Sequence, residues 1–337
     1  MSETRYRNRR AWQIEDNDTR VTVTVEGGHV AEILHKPTGV NPLWTPPWPS
    51  IEPSTYDRAR HPEYGADAES KLLAGIMGHN LCLDLFGPPS PEEEAAGMTV
   101  HGEASIVPYE IGVSGKEMIC RARMPIAQLA IERRIRLAPS GAVHFTETVE
   151  NLSALDRPAA WTEHVTLGPP FLEKGVTQFR VPAIRSCTLE GAVYNWPKLP
   201  LKNGGSEDLR VYTSEASCDR FSAHLMDPSR EEAFFLAYSP TSRVLLGYVW
   251  KRADFPWLGM WDENHDRALP PWSSRTLTRG LEFGASPISE TRRQMIDRHS
   301  LFDTPTYRWL PARTKLTVNY RAFIRLAEQI PEQPPPD

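Results

Sequence analysis

The sequence predicts an all-β protein built as one large antiparallel β-sandwich. Many of its 31 prolines fall in connections, and proline is excluded from the interior of helices and of central strands. Short segments that alternate apolar and polar residues outnumber segments with a helical period, and such alternation is typical of half-buried strands. No repeated strand–helix–strand pattern is visible, so a parallel sheet is not expected.

The first segments predict a hairpin followed by a long loop. Residues 21–25 alternate apolar and hydroxyl side chains, as a strand with one buried face requires. A glycine turn leads into residues 29–34, which we expect to return beside the first strand. The irregular stretch over residues 45–66 is too long for a simple connection and indicates a functional loop or a covering flap.

The centre of the chain predicts a β-meander preceded by two short helices. One helix is expected within residues 67–74, and another after Ser90, which is followed by a proline and three glutamates in a typical helix start. Residues 104–151 contain four strand-like segments joined by turns, which favours two successive hairpins. Residues 162–167 predict a further strand, which ends at a glycine and two prolines.

Strand patterns weaken over residues 171–230 and then return. Within the weak region only two short strands are indicated, at 178–181 and 208–213. The later predicted elements are a short helix at 291–297 and strands at 234–238, 244–250, 255–265, 278–287 and 315–324. No change of composition marks a boundary, so we predict a single domain over residues 1–337, with its core at about 15–325 and polar tails.

Composition excludes several classes of partner. The net charge of −5 is spread along the chain without a basic stripe, so nucleic acid is not expected to bind. No apolar run approaches the roughly 20 residues that span a bilayer, and the polar N-terminus lacks the apolar segment of a secretory signal. These features predict a cytoplasmic protein without membrane contact. The four cysteines form no CxxC pair, which favours reduced, buried thiols over a thiolate metal site.

Three residues with suitable chemistry lie in strand-like or turn-like contexts, namely His101, His164 and Glu282. Each also has an ordinary structural interpretation: a turn histidine, a core imidazole, and a carboxylate that alternates outward to water. Glu163 and His164 must point to opposite faces of their strand, so only one of the two can face a site. If Glu282 faces a cleft, desolvation raises its pKa and makes it a better base.

The aromatic strand at 255–265 offers a surface on which a sugar ring can stack. Trp261 is the principal candidate, with Trp257 and Trp272 nearby in sequence, although burial in a core is the more common use of tryptophan. At the tip of this strand, Glu263, Asn264 and His265 provide donors and acceptors for sugar hydroxyls. A solvated loop tip predicts the same residues.

Four motifs, taken in their order along the chain, resemble the galactose mutarotase-like superfamily, which includes the aldose 1-epimerases. They are the hairpin at 27–39 followed by Asn41-Pro42-Leu43-Trp44, the pair His101-Gly102, the triplet Thr162-Glu163-His164, and Leu281-Glu282 followed by Ser286-Pro287. The resemblance implies a β-supersandwich with a shallow sugar-binding cleft. It also implies that Glu282 is a general base, His164 a general acid and His101 a substrate-binding residue.

The chain departs from the pattern of this superfamily at three places. Residues 165–168 replace an aromatic-rich run after the second histidine, and His79-Asn80 stand where an arginine is often found, so we expect His79 and Asn80 to contact the substrate. The sugar-binding aspartate has no clear match, and Asp262 or Glu263 is the candidate. These departures leave the identity of the sugar open.

The resemblance predicts an aldose 1-epimerase-like isomerase that acts at the anomeric centre of a sugar or sugar derivative, with a small carbohydrate as its partner and without a cofactor or metal; it leaves the oligomeric state open. In this reaction a base takes the proton of the anomeric hydroxyl and an acid protonates the ring oxygen on the opposite side of the ring.

Two alternatives stay open. One is a non-catalytic carbohydrate-binding protein, because fold does not determine function. The other is a cupin-like metal enzyme, whose ligands would come from a set of histidines and glutamates. That set is His79, His101, Glu103, His164 and Glu282.

Overall fold

Two large antiparallel sheets make up most of the computed structural model, which describes residues 3–201 and 204–336. The strands in chain order are β1 (Thr4–Tyr6), β2 (Arg9–Glu15), β3 (Thr19–Thr24), β4 (Val30–His35), β5 (His79–Asp84), β6 (Glu110–Ser114), β7 (Glu117–Met124), β8 (Leu129–Leu137), β9 (Ala142–Asn151), β10 (Arg157–Leu167), β11 (Gln178–Arg180), β12 (Ala183–Thr188), β13 (Val193–Tyr194), β14 (Lys198–Pro200), β15 (Ser206–Asp208), β16 (Cys218–Met226), β17 (Glu232–Ser239), β18 (Val244–Lys251), β19 (Trp257–Asn264), β20 (Leu277–Gly284), β21 (Ser300–Leu301), β22 (Thr304–Pro305), β23 (Arg308–Leu310) and β24 (Lys315–Leu326).

The first sheet has twelve strands in the order β1-β2-β3-β4-β5-β10-β20-β19-β16-β12-β13, with β23 paired to the end of β10. The second has eight strands in the order β11-β17-β18-β24-β9-β8-β7-β6. Two further two-stranded sheets, β14-β15 and β21-β22, complete the strand pairing in the described part of the chain. The predicted all-β antiparallel sandwich is therefore confirmed.

The helical elements are short. They are α1 (Ser70–Leu73), α2 (Pro91–Ala95), α3 (Arg292–Arg298) and two 3-10 turns, Pro53–Thr55 and Pro62–Tyr64. Ser90 caps α2 as its sequence predicts, because its hydroxyl accepts from the backbone of Glu93 while the Glu93 carboxylate accepts from the backbone of Ser90. No helix among the residues that the structure describes has the length and apolar character needed to cross a bilayer.

Most predicted strands are confirmed, and the errors concentrate in the region of weak patterns. The strand predicted at 208–213 is wrong, since strand β15 ends at Asp208 and an irregular segment follows. Strand β16 was missed although it is nine residues long and is paired on both sides, with β19 and β12. The first residues of this strand are polar, so the sequence does not resemble a buried strand there. Asp219 and Arg220 fit in the sheet because they pair with charged residues on other elements, and the local sequence does not reveal these partners.

The main hydrophobic core lies between the two sheets and receives side chains from both. On β20, Leu281 and Phe283 point into this core, and the ring of Phe283 stacks on Trp250 of the other sheet at a centroid separation of 4.4 Å. Because side chains alternate along a strand, Glu282 lies on the outer face of the twelve-stranded sheet. The prediction of one domain over residues 1–337 stays a prediction.

A second apolar cluster covers part of this outer face. The long loop over residues 45–66 contributes Trp48 and Tyr64, which pack with Trp44 and Trp272. The rings of Trp44 and Trp272 are stacked at 6.0 Å, and the edge of Trp48 meets Trp272 at 5.1 Å. The loop thus holds an aromatic wall above the sheet, in the manner of the covering flap that its length indicates.

Candidate active site

The centre of the candidate site is a histidine–glutamate pair on two adjacent strands. His164 on β10 is directly opposite Glu282 on β20. Directly opposed side chains on one face of a sheet lie close together, and here His164 Nε2 is 2.9 Å from Glu282 Oε1. The other ring nitrogen of His164 is 3.0 Å from the hydroxyl of Thr166. The structure therefore brings together the two residues that the sequence puts forward as acid and base.

His101 reaches the same place from a tight turn. Both His101 and Gly102 have positive φ, and a Cβ on Gly102 would lie 2.2 Å from the carbonyl oxygen of Leu83, so only glycine fits there. The His101 ring lies 5.5 Å from the ring of His164 and stacks on Phe86. Burial lowers the pKa of His101 well below its usual range, and the nearby His164 lowers it further. Both effects favour the uncharged form of the His101 imidazole.

These three residues line one cavity of about 860 Å³ on the outer face of the twelve-stranded sheet. Its volume is in the range typical of small-molecule sites. Trp261 and Trp272 are the two tryptophans that line this cavity, and their rings meet edge to face at 5.8 Å. Other lining residues that carry charge are Glu69, Glu190, Glu215, Asp219, Arg220, Asp266 and Arg267.

Arg267 is a prominent cavity residue that was not predicted from the sequence. Its guanidinium lies over the rings of Trp261 and Trp272, at 5.2 and 4.8 Å from their centroids. Asp219 orients it, because one carboxylate oxygen of Asp219 accepts from Arg267 Nε at 2.9 Å and the other accepts from the indole of Trp261 at 3.1 Å. The sequence offered one signal for this role, namely that Arg267 follows shortly after the polar end of the aromatic strand predicted at 255–265.

Glu263 and His265 do not reach the cavity, contrary to the sequence prediction. Glu263 is fully buried, and its carboxylate accepts from the backbone N–H groups of Asp266 and Arg267 at 3.1 and 3.3 Å. Burial raises the pKa of Glu263. His265 is exposed and lies 3.0 Å from the carbonyl of Ser274. The role of Glu263 is therefore to shape the loop that carries Arg267.

The predicted substrate contact of His79 is also corrected. The side chain is completely buried between the two sheets, where its Nε2 is 2.8 Å from a carboxylate oxygen of Glu163. Asn80 is on the same face as His164 but is fully buried too, and it donates to the hydroxyl of Ser105. Neither residue lines the cavity. The apolar residues around His79 and Asn80 predict a buried strand. They do not indicate which face of that strand packs against the second sheet and which face is on the side of the cavity.

Glu163 belongs to a buried charge network behind the site. Arg133 contacts Glu147 at 2.5 Å and Glu163 at 3.0 Å, and the hydroxyl of Tyr320 donates to both carboxylates. Burial raises the pKa of Glu147 to about 7. The prediction that Glu163 and His164 face opposite ways is confirmed, because one enters this network and the other enters the cavity.

The donor set considered for a metal site is not assembled. Glu103 turns away from the cavity, where its carboxylate accepts from the backbone of Ala127 at 2.7 Å, and His79 is bound to Glu163. Within residues 3–201 and 204–336, no three histidine, cysteine, aspartate or glutamate side chains are grouped so that they could hold a metal ion.

Comparison of the sequence with family models and with curated proteins finds no match. The structure, in contrast, is similar to solved structures along nearly its whole length. A proposed aldose 1-epimerase from Klebsiella pneumoniae superposes with a TM-score of 0.70 at 14% identity, covering 95% of this chain and 80% of that one.

Two further solved structures show the same similarity. A galactose mutarotase-like protein from Clostridium acetobutylicum has a TM-score of 0.63 at 13% identity, with 97% of this chain and 98% of that chain covered. A proposed aldose 1-epimerase from Escherichia coli has a TM-score of 0.62 at 11% identity, with 94% and 99% covered. The chain therefore has the galactose mutarotase-like fold, in agreement with the resemblance drawn from its sequence.

Proposed function

We propose that this protein is an aldose 1-epimerase-like enzyme that interconverts the two anomers of a sugar or sugar derivative by general acid–base catalysis. The observation that carries the proposal is the contact between His164 and Glu282 on the floor of the cavity. A buried carboxylate and an imidazole side by side form a proton acceptor and a proton donor at one point in space.

The reaction needs two coupled proton transfers. Glu282 takes the proton of the anomeric hydroxyl, the bond between C1 and the ring oxygen breaks, and His164 gives its proton to that oxygen. The open-chain aldehyde rotates about the C1–C2 bond. Ring closure on the other face of the carbonyl then returns a proton from Glu282 to the new anomeric hydroxyl and one from the ring oxygen to His164.

The adjacency of the pair is compatible with this chemistry. The anomeric oxygen and the ring oxygen are both bonded to C1, so an acid and a base that lie close together can each reach one of them. The expectation that the two proton transfers occur on opposite sides of the ring stays a prediction. The Glu282 carboxylate is also the counter-ion that a protonated His164 needs at a buried position.

The remaining cavity residues supply binding. The neutral imidazole of His101 can exchange hydrogen bonds with a sugar hydroxyl, and the indole of Trp261 offers a face or edge to the apolar side of the ring. Arg267, held by Asp219, supplies charged donors that suit hydroxyl groups.

The test is the rate of optical-rotation decay for a panel of freshly dissolved single-anomer aldoses. We expect the protein to accelerate mutarotation of at least one sugar, and Glu282→Gln and His164→Asn each to lower kcat by roughly 100-fold or more. His265→Asn is the matched control and should retain full activity, because His265 lies outside the cavity. Unchanged activity in Glu282→Gln would remove it from the mechanism. A wild-type protein that binds a sugar without accelerating its mutarotation would instead support the non-catalytic alternative.

A further inference from the structure

Two glycines lie on the cavity floor beside Glu282. Gly259 on β19 is directly opposite Glu282, and Gly280 precedes it by two residues on β20, so both are on the same face of the sheet. Neither has a positive φ. Backbone conformation therefore does not require glycine at either position, although a glycine inside a strand weakens it.

The space above both glycines is occupied by the Glu282 carboxylate. A Cβ on Gly280 would lie 2.5 Å from Glu282 Oε1, the same oxygen that is 2.9 Å from His164 Nε2. A Cβ on Gly259 would lie 3.1 Å from Glu282 Oε2 and 2.8 Å from the ring of Phe221. The carboxylate is thus folded down over the two glycines instead of standing away from the sheet.

Gly284, the next glycine on β20, shows that this arrangement is specific. A Cβ there would lie 2.4 Å from the hydroxyl of Thr162, 2.7 Å from the backbone oxygen of Trp161 and 2.8 Å from the Cα of Thr162, so close approach of the backbone is enough to require that glycine. At Gly259 and Gly280, in contrast, the nearest atoms belong to the side chains of Glu282 and Phe221 alone. Both side chains line the cavity.

We propose that Gly259 and Gly280 are positioning residues, which form a slot that holds Glu282 low and against His164. The inference rests on the proposed function. The slot keeps one carboxylate oxygen at the imidazole, and it leaves the floor of the cavity low enough for the C1 end of a sugar ring to approach both groups. A methyl group at either position lifts the carboxylate out of this arrangement without removing it.

The test uses Gly280→Ala, with Gly112→Ala as the matched control. Gly112 is also inside a strand and without a positive φ, but a Cβ there meets no atom within 4 Å. Gly280→Ala should fold, because the atoms in its way are the far end of a flexible side chain. Its crystal structure should show the distance from His164 Nε2 to Glu282 Oε1 lengthened beyond about 3.5 Å, the limit of an ordinary hydrogen bond.

The kinetic signature separates positioning from a loss of binding. We expect kcat of Gly280→Ala to fall by on the order of 100-fold with little change in KM, as misplacement of a catalytic group does. Gly112→Ala should keep wild-type kcat. In the Glu282→Gln background, Gly280→Ala should cause no further loss, because it acts only through Glu282.

Two results would contradict the proposal that the glycines position Glu282. One is an unchanged distance of 2.9 Å between His164 Nε2 and Glu282 Oε1 in Gly280→Ala, and the other is equal kcat values for Gly280→Ala and Gly112→Ala. If the wild-type protein accelerates no sugar, the proposed function fails, while the distance in the Gly280→Ala structure still decides whether the glycines position Glu282. Gly259→Ala provides the same two measurements should Gly280→Ala not fold, since its tightest contact is a movable ring edge.

Discussion

Removing the arginine of the buried charge network should destabilise the protein strongly. Arg133 is 1% exposed and contacts the carboxylates of Glu147 and Glu163 and the carbonyl of Gly28. These groups come from both sheets, because Arg133 and Glu147 are on β8 and β9 and Glu163 is on β10. Replacement of Arg133 by Met keeps an extended side chain of similar length but leaves two carboxylates in the core without their counter-charge.

The size of the effect follows from the burial of the partners. Breaking a fully buried ion pair by removing one partner costs about 3–5 kcal/mol, because the charge left behind is not solvated. Arg121→Met is the matched control: Arg121 contacts Glu132 at 2.6 Å in the same sheet, but the two side chains are 54% and 29% exposed. An exposed pair of this kind contributes at most about 1 kcal/mol.

The assay is urea unfolding at pH 8, above the pKa of about 7 at which Glu147 loses its proton in the folded protein. Arg133→Met should lower the free energy of unfolding by about 3–5 kcal/mol and Arg121→Met by about 1 kcal/mol or less. Adding Glu147→Gln to Arg133→Met should recover part of the loss, since one unpaired charge is then removed. Equal losses for the two arginine variants would refute the reasoning.

Two further predictions concern the same network and the C-terminal tail. Because the pKa of Glu147 is about 7 in the folded protein against an ordinary value of 4.5, the folded state retains a proton that the unfolded chain releases between these values, so stability should decline as pH rises through this window. Glu147→Gln should flatten that decline in urea midpoints measured from pH 4.5 to 7, and an unaltered slope would contradict the assignment. Ile330 in the tail is buried against Phe234, Tyr238 and Leu245 on the outer face of the eight-stranded sheet, so Ile330→Ala should cost about 2 kcal/mol of unfolding free energy. Leu326→Ala, at a position that is 52% exposed, should cost much less. Equal losses of unfolding free energy would show that Ile330 does not anchor the tail to the eight-stranded sheet.

The part of the site that could be predicted is the part that alternation along a strand determines. Glu163 and His164 had to separate to opposite faces, and Leu281 and Phe283 had to turn inward if Glu282 turned outward. The order of the motifs then indicated that His101, His164 and Glu282 belong to one site, and the structure places all three on one cavity.

The errors have a common physical origin. His79 and Asn80 are in a strand that is buried on both faces, so its composition does not show which side meets the core and which meets the site. Glu263 was expected to contact the sugar and Arg267 was not predicted, because the sequence does not show that the Glu263 carboxylate binds backbone N–H groups of the loop that follows it or that Arg267 is held by Asp219 on β16. Such contacts leave no periodic signal in the sequence.

The most direct test of the central claim is a crystal structure with a free aldose bound. The account predicts a sugar ring in the cavity beside Trp261, with its anomeric oxygen within about 3.2 Å of a Glu282 carboxylate oxygen and its ring oxygen within about 3.2 Å of His164 Nε2. A sugar bound with C1 directed away from this pair, or bound only at another surface, would contradict it.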